Sequence, residues 1–158
     1  CKKLSLKFKN QTMYNTIQFV HSYWAYLVLV VLTITTINSL VSYFGNKEFS
    51  ARDFRLALFT LIVTHIQLLI GIVLYFVSPL GAKAIASQGM SVAMSDPNLR
   101  LYVVEHPLAM IITIVFVTVG YSKHKKKLTS KPKFKLLAIF YTLGLLVMLT
   151  RIPWSNWF

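Results

Sequence analysis

The sequence predicts an all-α integral membrane protein, a bundle of four spanning helices. Three observations carry that expectation. Of its 158 residues 56% are hydrophobic, against about 45–50% in soluble domains, and the mean hydropathy is +0.61. The apolar residues gather in long runs of bilayer length separated by short polar segments. The basic residues stand mostly at the ends of those runs. The length suits one domain.

The charge balance is +13, from 17 basic and 4 acidic residues. A pI near 10.0 invites a nucleic-acid reading. The placement of the lysines argues against it, because charge at span ends reads as topology and lipid headgroup contact. Membrane lipid is therefore the expected partner. The single cysteine, Cys1, leaves no internal disulfide.

Residues 1–12 form a polar, Lys-rich lead-in without the apolar core of a signal peptide. The first span is expected over about 17–44, with aromatic residues at both ends and Gly45-Asn46 as its stop. Trp24 reads as one of these interfacial aromatics. Ser50 or Asp53 caps the second span, about 54–77, which ends at Ser78-Pro79. The long connection 80–100 has a mildly apolar middle, 82–94, suited to a short helix on the membrane surface. Asp96 before Pro97 reads as an N-cap with proline at the first helical position. The third span is expected over about 101–121, with Pro107 in its first turns. The fourth follows over about 136–150, and Arg151, Pro153, Trp154 and Trp157 make its interfacial end.

Basic residues concentrate in the first and third loops: Lys47, Arg52 and Arg55, then seven lysines from Lys123 to Lys135. The positive-inside rule puts those loops in the cytoplasm and both termini outside. The N-terminal lysines pull the other way.

His21, His65 and His106 fall in three different apolar runs, whereas His124 sits in the lysine-rich loop and reads as solvated. One membrane histidine is explained by an interhelical hydrogen bond. Three on three spans suggest a cofactor, because intramembrane ionisable groups are costly and imidazole is a common axial ligand of haem. No Cys-x-x-Cys-His motif is present, so covalent attachment is excluded and a b-type haem is the expectation.

Two axial ligands must share a depth. His21 and His106 each lie about five residues inside the outer end of parallel helices, roughly 6–8 Å at 1.5 Å per residue. His65 lies about twelve residues from that end, or roughly 18 Å. Side chains lean toward a helix N-terminus, so His21 and His106 lean outward and His65 inward. The expected pair is His21–His106, with His65–His106 as the alternative. Arg151 and Arg100, at the outer level, are candidates for the haem propionates; interfacial anchoring is their plainer role. Glu105 is expected to meet one of them rather than His106. Gly71 is a candidate for close approach of the porphyrin edge, or simply of a neighbouring helix.

His21-Ser22-Tyr23-Trp24-Ala25-Tyr26, Thr64-His65-Ile66-Gln67-Leu68-Leu69-Ile70-Gly71, Glu105-His106-Pro107-Leu108 and Arg151-Ile152-Pro153-Trp154 resemble a family of small bacterial four-helix membrane proteins described as cytochrome b. The likeness runs from about Met13 to Phe158. The pattern is also similar, in architecture alone, to one four-helix half of haem A synthase. The resemblance implies a haem protein of the bacterial cytoplasmic membrane.

Function classes follow. The leading one is b-type haem electron transfer in or near the respiratory chain, with quinone or a respiratory-complex subunit as partner. The second is a haem-biosynthetic or haem-modifying enzyme. The third is a non-haem accessory subunit or a metal transporter. Copper(I) is disfavoured there, because no close Met or Cys cluster occurs in the spans.

Overall fold

The computed structural model describes residues 2–156; Cys1 and Trp157 lie outside them. Among the described residues four helices are long and apolar enough to cross a membrane. They are α1 (Lys2–Phe44), α2 (Ala51–Val77), α6 (His106–His124) and α7 (Ser130–Thr150), with α3 (Ala82–Gln88), α4 (Met90–Ser95) and α5 (Pro97–Arg100) between the second and third. α5 runs through a π-helical turn, Leu101–Glu105, directly into α6.

The helices extend beyond the apolar runs that signal them, because polar turns at the interface stay helical where nothing breaks them. The lead-in expected to precede the first span is part of α1, which contains no Gly or Pro. Its 43 residues reach about 64 Å at 1.5 Å per residue, twice the ~30 Å of a bilayer core. Asn46, at φ 48°, reverses the chain, and Lys47 N–H closes onto the Ser42 carbonyl at 3.0 Å. Ser50 caps α2, and Asp53 completes a capping box. Asp96 caps α5, with Pro97 in its first turn.

The loops after α1 and α6 meet at one end of the bundle, the basic end, where Phe49 N–H donates to Ser130 Oγ at 2.9 Å. α3 and α4 fold over the opposite end as a cover, around the small core of Ala84, Ala93, Leu99 and Val103.

Within the bundle the polar contacts are short and helix-to-helix. Thr35 and Thr60 share a hydrogen bond at 2.7 Å. Tyr141 Oη donates to the Ala57 carbonyl at 3.1 Å, and Thr113 Oγ1 to the Gly144 carbonyl at 3.1 Å. Such bonds hold spans together where burial of apolar surface contributes little, since lipid is as apolar as the core. At Gly120 a Cβ would lie 2.7 Å from Phe140 Cβ, so α6 and α7 pack at a distance only glycine permits there. The outward faces carry Phe19, Val30, Ile34, Ile37, Leu69 and Val115, all exposed, as lipid contact requires.

Two expectations change here. Trp24 is not an interfacial aromatic. Its indole turns inward, packs against the core and donates from Nε1 to the Val63 carbonyl at 3.0 Å. His124 is not solvated: it is 1% exposed. α6 carries it a turn past the apolar run, into a box of Phe49, Phe54 and Tyr121 rings.

Candidate functional site

Near the covered end, α1, α2 and α6 enclose a cavity of about 450 Å³, within the range of cofactor sites. Its walls are chiefly apolar, and His21, Gln67, Gly71 and His106 all line it.

His106 owes its position to the residue after it. Pro107 has no N–H, and its ring would clash with the carbonyl four residues back in a regular helix. The chain answers with the π turn, in which His106 N–H reaches the Leu101 carbonyl. The Val103 carbonyl, which Pro107 leaves without a helical donor, accepts Tyr75 Oη at 3.2 Å. The wide turn therefore leaves that carbonyl satisfied. π turns of this kind recur at functional sites.

His106 Nδ1 lies 2.8 Å from the Arg151 carbonyl oxygen. An imidazole that donates there keeps its Nε2 lone pair, which is how a metal-binding histidine is usually oriented. The His21 and His106 rings are neighbours in a T-shaped arrangement, with centroids 6.2 Å apart and planes at 73°. Two imidazoles bound to opposite sides of one metal, with metal–nitrogen bonds of about 2 Å and nitrogens ~1 Å from the ring centres, have centroids roughly 6 Å apart.

His65 is elsewhere. α2 runs antiparallel to α1, so its N-ward lean carries the ring toward the basic end. Nδ1 bonds the Leu61 carbonyl of its own helix at 2.7 Å, and Nε2 lies 3.5 Å from Thr118 Oγ1. Thr118 stands twelve positions beyond His106, about 18 Å along α6. His65 does not line the cavity. Among the described residues no three of His, Cys, Asp or Glu converge on a metal-sized site; His65 stands apart from His21 and His106.

Gly71 makes room for His21. A Cβ there would lie 3.3 Å from His21 Cε1 and 3.7 Å from Nδ1. Neither arginine lines the cavity. Both guanidiniums engage Glu105 instead, Arg100 Nε at 2.8 Å and Arg151 Nε at 3.4 Å. Arg100 Nη1 also donates to the Met94 carbonyl at 3.1 Å, tying the cover to the bundle. What Arg151 offers the site is its backbone carbonyl.

The chain matches no family model, no curated protein and no solved structure. The functional reading rests on the chain's own residues.

Three features escaped the sequence: the Arg151 carbonyl, the Tyr75–Val103 bond and the contact of Gln67 with His21. The first is a backbone atom, which no side-chain pattern reports. The last had a signal, since Gln67 is polar at membrane depth and four residues before Gly71, on the same helix face.

Proposed function

We propose that this protein is a b-type haem protein of the bacterial cytoplasmic membrane that transfers electrons, and that His21 and His106 are the residues that would hold the haem iron. The observation that carries this is the nearness of the His21 and His106 rings, 6.2 Å between centroids, at a mostly apolar cavity between spans. Two further features fit the group. His106 has Nδ1 anchored on a carbonyl, and Gly71 leaves the His21 edge uncrowded. The motifs around His21, Gly71 and His106 that resemble the small cytochrome b family point the same way.

Haem held by two imidazoles supplies a one-electron iron couple and leaves no open position for oxygen. The chain's own residues do the rest. Arg151 orients His106 through its carbonyl, and the mostly apolar walls surround the two imidazoles. The basic end faces the cytoplasm in this reading, so a haem held by His21 and His106 would lie toward the outer leaflet, where quinone or a respiratory-complex subunit would be its redox partner.

The test is the reduced-minus-oxidised spectrum and the EPR spectrum of detergent-purified protein. Wild type should give a sharp b-type α-band and a low-spin signal. His21→Ala and His106→Ala should each lose the low-spin signal, and His65→Ala should keep it. A featureless wild-type spectrum rejects haem. A high-spin His65→Ala beside a low-spin His21→Ala rejects the pairing.

A further inference from the structure

The two imidazoles are not held alike. His106 has the Arg151 carbonyl 2.8 Å from Nδ1. For His21 the described contacts show no carbonyl in that role; its ring neighbour is Gln67 on α2. Gln67 Nε2 donates to the His21 backbone carbonyl at 3.0 Å. The same nitrogen lies 3.3 Å from His21 Nδ1 and 3.4 Å from Nε2. Nearly equal distances to both ring nitrogens put the amide over the ring rather than along the lone pair of either. The other end of the amide, Oε1, is shielded from solvent and has no hydrogen-bond partner. A shielded carbonyl oxygen left bare is costly, and natural structures seldom keep one without a use.

We propose that Gln67 is the positioning residue of His21. Its Oε1 is the acceptor for His21 Nδ1–H, reached by a small rotation of the imidazole about Cβ–Cγ, while Nε2 stays on the His21 carbonyl. One amide then holds both the backbone and the ring of the same residue. It fixes the tautomer with the proton on Nδ1 and leaves the Nε2 lone pair for a metal. Gly71, one turn along α2, gives the ring edge the space to rotate. A neutral amide suits the location, since it orients the ligand without bringing a charge to membrane depth. The inference rests on the paired-ligand reading for its purpose. The contacts of the Gln67 amide nitrogen with His21 and its bare Oε1 stand without it.

Two measurements on the full chain in lipid nanodiscs test it. The first uses haem-free protein labelled with ¹⁵N-histidine, the His21 signals being assigned by their loss in His21→Ala. Wild type should show the proton on Nδ1, and Gln67→Leu should lose that preference. The second uses haem-loaded protein and reads the reduction potential. An acceptor on Nδ1–H makes the imidazole a better donor and favours ferric iron. Gln67→Leu should therefore raise the potential and the nearly isosteric Gln67→Glu should lower it. About tenfold in ferric-over-ferrous preference is expected each way, or ~59 mV for one electron. A tautomer unchanged in Gln67→Leu overturns the proposal, as do potentials that move in the same direction in both variants. Wild type that takes up no haem removes the haem reading alone, and the tautomer measurement then decides the role of Gln67.

Discussion

Gly71→Ala and Gly71→Val grade how closely α2 must approach His21. A methyl group at position 71 would lie 3.3 Å from His21 Cε1. Ordinary carbon contacts lie at about 3.5–4.0 Å, so alanine pushes the ring back by roughly 0.2–0.7 Å. Binding constellations tolerate about 0.5 Å of displacement, which puts alanine at the limit. Valine adds two γ carbons with one strongly preferred helical rotamer, so it has little freedom to turn away and exceeds that limit. Misplaced supporting contacts cost about 10–100-fold in metal affinity. Alanine is expected near the lower figure and valine at or beyond the upper one. The assay is the rate of haem loss to excess apomyoglobin from protein in nanodiscs, followed at the Soret band. Thermal unfolding of the haem-free chains is the companion measurement. Replacing a mid-helix glycine by alanine favours the helix by up to ~1 kcal/mol. Haem retention should thus fall while the stability of the haem-free chain holds or rises, a pairing that general damage to the fold does not produce. Haem loss from Gly71→Val at the wild-type rate would refute the reasoning.

Other perturbations address the frame around the site. Tyr141→Phe removes the buried bond to the Ala57 carbonyl and should destabilise the bundle by about 0.6 kcal/mol, the usual worth of an interhelical bond in a membrane; controlled unfolding in mixed micelles reads it, and a loss several times larger would give that bond a weight the structure does not account for. Arg100→Leu frees α4 from its tie to α5. Because the Arg100 and Glu105 side chains are 37% and 29% exposed, the loss should stay under ~1 kcal/mol; hydrogen exchange over 89–95 should quicken by no more than about fivefold while the bundle is unchanged. Uniform acceleration through α1 and α7 would show the cover to be part of the main cooperative unit. A topology reporter fused after Lys127 should report the cytoplasm, since ten basic residues lie on the two loops of the basic end and their first turns (Lys47, Arg52, Arg55, Lys123, Lys125, Lys126, Lys127, Lys131, Lys133 and Lys135); a periplasmic signal would turn the cavity at His21 and His106 toward the inner leaflet and leave the proposed ligand pair as it is.

Much of this protein is legible in one dimension. The number of spans follows from the length of apolar runs, which the bilayer thickness sets. Ser50-x-x-Asp53 and Asp96-Pro97 mark helix starts because unpaired N–H groups there need an acceptor and Pro lacks the donor. Even the nearness of His21 to His106 is readable. His21 and His106 lie on parallel helices and lean the same way, while His65, on an antiparallel one, leans the other way.

What the sequence leaves open is rotation about each helix axis. In a soluble bundle the polar face shows which side is out. In a membrane span both faces are apolar, so Trp24 reads equally well as a belt residue or as a core residue until Val63 is seen beside it. His124 likewise looks solvated among lysines until the chain reversal at Asn46 brings Phe49 and Phe54 over it. Glu105 was readable as a partner of Arg100 or Arg151, but not that it would take both and so leave Arg151 to serve His106 through its backbone. The π turn needed Pro107, which is visible, and Tyr75 Oη at the freed carbonyl, which only packing supplies. The sequence by itself determined how many helices cross, where they are capped and which histidines share a depth, because those depend on length, local hydrogen bonding and helix direction. The tertiary structure decided which atoms face them, because in a lipid environment the contacts that select a helix's rotation are single hydrogen bonds and close glycine approaches, and neither leaves a period in the sequence.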